Sequence, residues 1–445
     1  MMAGQSPLKV GVVGGGIAGL SAAIALKRAG HSVEVFERAH FSREAGITLV
    51  MAPNAGKVYD SWGFDLDTVG GVDTIQLRHL DGPTARTIWH DPLPDMRERY
   101  GAKLRCVRHG ELHTGLLEHL KATEGHPVEI NPETEVADID CERGIIRTSE
   151  GSEVEKDLIV LANGLGCRFL DRITGKDHPL LDTDRSAYRY LLSAQEVLDD
   201  PETRPLFENQ DDEICIFQNF AAGTSIITYL SQGGKTRGIN VSTPRPASKG
   251  SKADRSARAS RADLLEIVRD FHPSIKALIQ KAPEEGIFSY PLLIREPLPT
   301  YVNGRAVVIG DAAHVMKPQQ GQGASIAIES TGCLEVLFNG VGKEDVQSRL
   351  KLFDELRRRR CPPAQLFSNM PLGPNSYSWL VENIKPFWDP AKPLPPPGSR
   401  PLSKPYRDFF YGYNAREESE KALAEHQKQN GQLCRICGGH SVEAE

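Results

Sequence analysis

Residues 9–37 read KVGVVGGGIAGLSAAIALKRAGHSVEVFE. Lys9 to Val13 is a short apolar run that predicts a buried strand. Gly14-Gly-Gly-Ile-Ala-Gly19 follows and leads into an Ala-rich helix from about Leu20 to Arg28, with Gly30 as its candidate C-cap. Ser32 to Phe36 predicts a second strand, ending at Glu37. Together these make one complete βαβ unit. Each glycine of the Gly14-x-Gly16-x-x-Gly19 pattern has a physical task. Gly14 permits a tight turn, Gly16 leaves the pyrophosphate unobstructed, and Gly19 lets helix and sheet approach closely. The helix N-terminus offers free N–H groups and partial positive charge to phosphates. Glu37 suits the two ribose hydroxyls of an adenosine half and would repel a 2′-phosphate. The pattern in this context points to a bound dinucleotide, not to an empty glycine turn, and argues against NADP in this pocket. It does not choose between NAD and FAD.

Outward from that unit, Glu111 to Ala122 has helical apolar spacing, and Val154 to Leu161 reads as one buried strand entering Ala162-Asn163-Gly164. Tyr188 to Leu192, Ile214 to Phe217 and Ser225 to Leu230 read as strands of a separate sheet. Pro244 to Ser260 is polar and predicts a surface loop. Arg305 to Gly310 predicts another buried strand, Asp311 opens a loop, and a helix begins near Gly323 and runs past Leu337. A further helix is expected from about Lys343 to Arg360, its Arg357–Arg360 run meeting the negative end of the dipole. Leu394 to Pro405 reads as extended, Phe409 to Tyr413 as an aromatic cluster packing back on the body, and the last fifteen or so residues as frayed.

A chain of 445 residues exceeds one hydrophobic core, so at least two domains are expected. A formal charge of −6 gives no reason to expect nucleic acid or an anionic membrane as partner. Eight mostly scattered cysteines favour a reducing compartment. With no signal peptide and no apolar run long enough for a bilayer, the expected location is cytoplasmic, without a transmembrane segment. Cys434 and Cys437 form the only close pair, and no second pair completes a zinc set, so no metal site is expected.

Far along the chain, Gly310-Asp311-Ala-Ala-His314 is followed by Pro318 and by Gly321-Gln322-Gly323-Ala324 ahead of a helix. On these motifs the sequence resembles the FAD-dependent aromatic hydroxylases, single-component flavin monooxygenases, and most of all their fungal salicylate-hydroxylase-like branch of secondary metabolism. The resemblance spans roughly residues 8 to 415. Independently of it, Asp311 can bind the ribityl or pyrophosphate region, or simply cap a helix. Backbone N–H groups at Gly323 and Ala324 can hold the pyrimidine edge of a flavin and stabilise its reduced, negative form.

The resemblance implies an α/β fold like that of para-hydroxybenzoate hydroxylase. A Rossmann-like FAD-binding domain (8–182 and, with helices, 296–380) is interleaved with a β-sheet substrate domain (183–295), and a Pro-rich and aromatic extension with a frayed tail covers 381–445. It implies FAD at Gly14, Gly16, Gly19, Glu37, Gly46, Arg108, Asp311, Gly323 and Ala324. Ala45-Gly46-Ile47 and Pro53-Asn54-Ala55 resemble the segment beside the flavin. Arg108-His109 reverses the family's His-Arg order, so either Arg108 reaches the cofactor from a shifted position or His109 replaces it. Asn163 stands where the family has aspartate, keeping hydrogen-bonding size without the charge.

Arg189 and Tyr229 match the family's substrate-facing arginine and tyrosine, and would bind a phenolate or oxyanion and orient or protonate it. A sheet-face salt bridge and a core tyrosine are the plainer alternatives. The implied reaction is oxygen insertion into a phenol, aromatic acid or indole, by hydroxylation or epoxidation, through a flavin hydroperoxide. NADPH or NADH would visit as transient reductant, because no second Gly-x-Gly-x-x-Gly unit is present. The alternative is an FAD-dependent oxidase or dehydrogenase without oxygen insertion.

Overall fold

A computed structural model describes residues 6–40, 48–208, 212–245, 258–284, 287–371, 373 and 375–437, with the backbone alone at 430–437. The expected βαβ unit forms as Lys9–Val13, a helix over Ile17–Arg28, and Ser32–Phe36. It is the centre of a six-stranded sheet. The strand order is Val302–Asn303, Ala306–Val308, Leu158–Leu161, Lys9–Val13, Ser32–Phe36, Glu129–Asn131. All neighbours pair in parallel except the Val302–Asn303 edge. Leu158–Leu161 is buried on both faces, as a central parallel strand must be.

The expected Val154-to-Leu161 strand is in fact two. Glu153–Glu155 belongs to a small antiparallel sheet with Ile145–Thr148, and only Leu158–Leu161 enters the main sheet. Between them Lys156 ion-pairs Glu34 and Asp157 accepts from Lys9 N–H, so two charged anchors separate the strands.

The second large sheet has eight strands, in the order Arg258–Ala259, Ile287–Ile294, Leu181–Ser193, Thr236–Pro244, Thr224–Ser231, Glu213–Asn219, Gln76–Asp81, Thr87–Pro92. The last two come from the early part of the chain. Alternation splits the sheet's faces. Tyr188, Tyr190, Cys215, Phe217 and Ile226 pack in one core with Leu264 and Leu278 of covering helices. Ile214, Ile216 and Tyr229 face the first domain's core. By the same alternation, Arg189 lies on that inner face.

Two further expectations are corrected. Asp311 opens a one-turn helix, Asp311–His314, instead of a loop. The helix expected to stop at Arg360 runs as Val346–Asn369, through Pro362 and Pro363. Arg357 and Arg360 are therefore not at a helix end. Both are buried and paired with Glu329 at 3.1 and 2.7 Å. An interior proline costs about 3 kcal/mol. Here the second half of the helix is almost wholly buried, from Cys361 to Asn369, and that packing offsets the cost.

Phe409 and Phe410 pack against Phe367, as the aromatic cluster led one to expect. Most of the expected 244–260 loop, and Gly46, lie outside the described residues. The helix over Ala415–Cys437 ends on the Cys434–Cys437 pair. Among the described residues no helix is long and apolar enough to cross a membrane.

Candidate active site

The glycine loop divides into packing and access. A Cβ on Gly14 would sit 2.6 Å from Ala162 O, and one on Gly19 would sit 1.8 Å from Gly14 O. A Cβ on Gly16 would meet nothing within 4 Å. Gly14 and Gly19 therefore set the turn and the helix–sheet approach, while Gly16 borders open space. The Glu37 carboxylate accepts hydrogen bonds from Gly15 N–H at 2.6 Å and Ala39 N–H at 2.8 Å. It is held at the end of its strand, beside the loop.

Two cavities adjoin this loop. One, of about 230 Å³, lies between Gly14, Glu37, Arg168 and Asn163. The other, of about 340 Å³, extends past Asp311, Gly323 and Ala324 to Arg189 and Tyr229. Gly16 and Ala162 line both. The two meet where the loop is bare, so an extended molecule can pass from Glu37 to the eight-stranded sheet.

The second cavity has a helix N-terminus in its wall. The Gly323–Phe338 helix has no side-chain cap, and its first intrahelical bond runs from Ile326 N–H to Gln322 O. N–H groups at the start of a helix need partners from outside it. Among the described residues Gln322 Nε2 is buried without a hydrogen-bond partner, while its Oε1 accepts from Asn54 at 3.0 Å. Uncapped N–H groups and an orphaned amide on one wall suit the polar edge of a flavin ring. Asp311 lines the same cavity and is exposed to it. Surrounding protein raises its pKa from the usual carboxylate value, against the pull of Arg189 and Arg295.

Across the cavity, sheet register places the polar side chains. Arg189 pairs with Asn240, and Asn240 with Ile227. Tyr229 lies two residues along, opposite Ile214 and Gly238. A Cβ on Gly238 would come within 2.8 Å of the Tyr229 ring, so glycine is what leaves the ring its place. Tyr229 donates its hydroxyl to Thr48 O at 3.2 Å. Burial raises its pKa, with Arg189 opposing, so it remains a neutral donor. Arg189 contacts Asn240 Oδ1 at 3.4 Å and lies 4.8 Å from the centre of the Tyr290 ring.

His109 lines the cavity and Arg108 does not. Arg108 pairs instead with Glu111 at 3.5 Å. His113 hydrogen-bonds Gly15 O at 2.8 Å, tying this helix to the glycine loop. Sequence reasoning passed over Lys317, Asn240 and Arg185. For Lys317 a signal existed: it is the only Lys, Arg, Asp or Glu between Asp311 and Glu329.

Residues 8–204 match the model of the pyridine nucleotide-disulphide oxidoreductases. The FAD-dependent monooxygenase cfoG of Aspergillus candidus is 26% identical over 396 residues, 85% of this chain and 88% of that protein. The chain is thus similar over most of its length to FAD-dependent monooxygenases of the aromatic-hydroxylase kind. Its similarity to proteins named FAD-dependent, and to structures that hold FAD, supports FAD as the cofactor. Two solved structures share the fold of this chain. CtdE in complex with FAD and substrate 4 superposes with a TM-score of 0.77 at 19% identity, covering 95% of this chain and 100% of that one. A salicylate hydroxylase substrate complex superposes with a TM-score of 0.73 at 20% identity, covering 94% and 98%.

Proposed function

We propose that this flavin monooxygenase inserts one oxygen atom from dioxygen into an electron-rich aromatic substrate, a phenol, aromatic acid or indole, with NADPH or NADH as reductant. The observation that carries the reading is the pair of cavities meeting at Gly16, with Glu37 at one end and Arg189 and Tyr229 at the other. Glu37 would hold the adenosine of FAD, Gly14, Gly16 and Gly19 its phosphates, and Asp311, Gly323 and Ala324 its ring end. The sequence expectation for Gly46 lies outside the described residues, and Arg108 stands one residue behind the His109 wall. Bound FAD supplies the two-electron redox chemistry and the reaction with dioxygen.

The chain's own groups position and polarise. Arg189 holds a phenolate or developing oxyanion through its guanidinium. Tyr229, kept protonated by burial, donates to the same oxygen when its bond to Thr48 is exchanged. Apolar Ile214, Ile227 and Leu49 line the remaining wall and limit water.

The test is oxidation of NADPH and NADH across a panel of phenols, aromatic acids and indoles under oxygen-18. Label in the product is expected, and its absence from a product that does form would instead indicate an oxidase or dehydrogenase. Arg189→Ala is expected to stay yellow with FAD and to lose product formation at least 100-fold. If FAD is lost as well, Arg189 belongs to the cofactor site.

A further inference from the structure

Many deep charges in this protein are paired. Arg357 and Arg360 meet Glu329, Arg105 meets Asp65, Asp67 and Asp73, Arg78 meets Glu213, and Arg407 meets Asp91. Others rest on backbone carbonyls, as Lys27 does on Leu120 O and Arg295 on His178 O and Ala312 O, and the substrate end of the cleft gathers three cations held by neutral groups around one cavity. Lys317 lines the cavity, is only 7% exposed, and donates to a neutral acceptor, Met370 O, at 2.8 Å. Arg185, half-buried and close enough to repel it, donates to Gly223 O and Ser242 Oγ. Arg189 is held by Asn240 and Tyr290. Among the described residues none of these three has a carboxylate within ion-pair distance, and Asp311 is the one carboxylate lining the cavity.

Leaving buried cations without counter-charge is costly, and the usual remedy is a partner of opposite sign. An ammonium has three donors, and Met370 O occupies one. We propose that Lys317, with Arg185 behind it, forms a subsite for a carboxylate on the substrate, so that the aromatic molecule binds as an anion. The inference rests on the reading of this cavity as the substrate's and narrows it to aromatic acids. Burial lowers the Lys317 pKa to about 8, with Arg185 adding to the effect. A bound anion reverses that shift and fixes the charge. A neutral phenol or indole would leave both cations uncompensated.

The same charges could serve reduced flavin instead, and the experiment separates the two. FAD-loaded protein is titrated with benzoate against benzamide and with 2-naphthoate against 2-naphthamide, following the perturbation of flavin absorbance. The wild type is expected to bind the acid of each pair at least tenfold tighter than its amide. Lys317→Met is expected to abolish that preference while keeping FAD and its affinity for the amides, and Lys317→Arg to retain it. Arg185→Gln, which changes a different strand, is expected to reduce the preference severalfold.

Equal affinities in the wild type, or binding of neither acid at millimolar concentration, overturn the subsite. So does a preference that survives in Lys317→Met, including the case in which that variant shifts only the midpoint potential of the bound flavin. Binding is read without turnover. Absent oxygen-18 incorporation would therefore sink the monooxygenase reading and leave this result standing. Label in a neutral substrate with no acid preference would do the reverse.

Discussion

Gly16 and Gly19 lie three residues apart in one motif, yet the same substitution has different consequences at each. At Gly16 the backbone is ordinary, with φ −74° and ψ −173°, and a methyl group points into empty cleft. Gly16→Ala is expected to leave the melting temperature of FAD-free protein unchanged while weakening FAD binding at least tenfold, read by flavin fluorescence quenching. At Gly19 the methyl would collide with Gly14 O, a backbone atom. Gly19→Ala is expected to destabilise the FAD-free protein by about 1–3 kcal/mol, as overpacking does, measured by chemical denaturation. Lys317 makes the complementary point, that a binding charge costs stability. Its pKa is lowered from 10.5 to about 8 by burial, with Arg185 adding to it, and Met370 O is its one partner among the described residues. Between those two values the unfolded chain holds the extra proton, so stability rises with pH there. Below pH 8 the full cost of the buried charge is present. Lys317→Met is thus expected to be more stable than wild type by about 1–3 kcal/mol at pH 7, with the gap closing by pH 10. Urea melts at the two pH values measure it.

The helices around Glu329 show what local sequence can and cannot convey. Arg357 to Arg360 followed by Pro362 and Pro363 has the composition of a helix end, and by local energetics it should be one. The partner that changes the outcome is Glu329, near the middle of Gly323–Phe338 and 28 residues away from Arg357. Nothing in the 343–369 window announces it. Glu329 accepts from Arg357, Arg360 and Asn54, and Asn54 donates in turn to Gln322 at the mouth of the flavin wall. Arg360 also donates to Phe409 O and Phe410 O, which fastens the aromatic C-terminal segment to the same node. Burial alone would raise the Glu329 pKa, but Arg360 and Arg357 hold the carboxyl below its usual value. The stability it contributes is therefore present above the unfolded carboxyl pKa and lost as pH falls through the lowered one. Glu329→Gln leaves two buried guanidinium groups short of a counter-charge. A loss of about 3–5 kcal/mol is expected, visible in urea denaturation at pH 7 and shrinking as pH falls through the lowered carboxyl pKa.

Across the whole molecule, legibility followed sequence distance. The βαβ unit, Glu37 and the Gly321–Ala324 helix start were readable because each is a local pattern with a local physical cause. Gln76–Asp81 and Thr87–Pro92 were not. Their sequences, QLRHLD and TIWHDP, are mixed in polarity, and they are strands because Glu213–Asn219 offers an edge 137 residues later, in parallel with the first of them. The cleft itself is a product of that distant pairing. Its floor comes from the six-stranded sheet and the Gly323 helix, its roof from the eight-stranded sheet, and no single segment contains both. A cofactor lying across it contacts elements from opposite ends of the chain and should protect them together. Ligand binding to the native state stabilises by about 2.7 kcal/mol at a hundredfold excess over Kd. Amide hydrogen exchange with and without FAD measures how that stabilisation is distributed. Slower exchange is expected at Gly15 to Ile17 and at Gly323 to Ser325 in parallel, with Leu264 to Ile267, on the far face of the second sheet, little changed. Protection confined to the glycine loop would mean that the ring does not reach the Gly323 helix, and the path drawn from Glu37 to Tyr229 would have to end at Gly16.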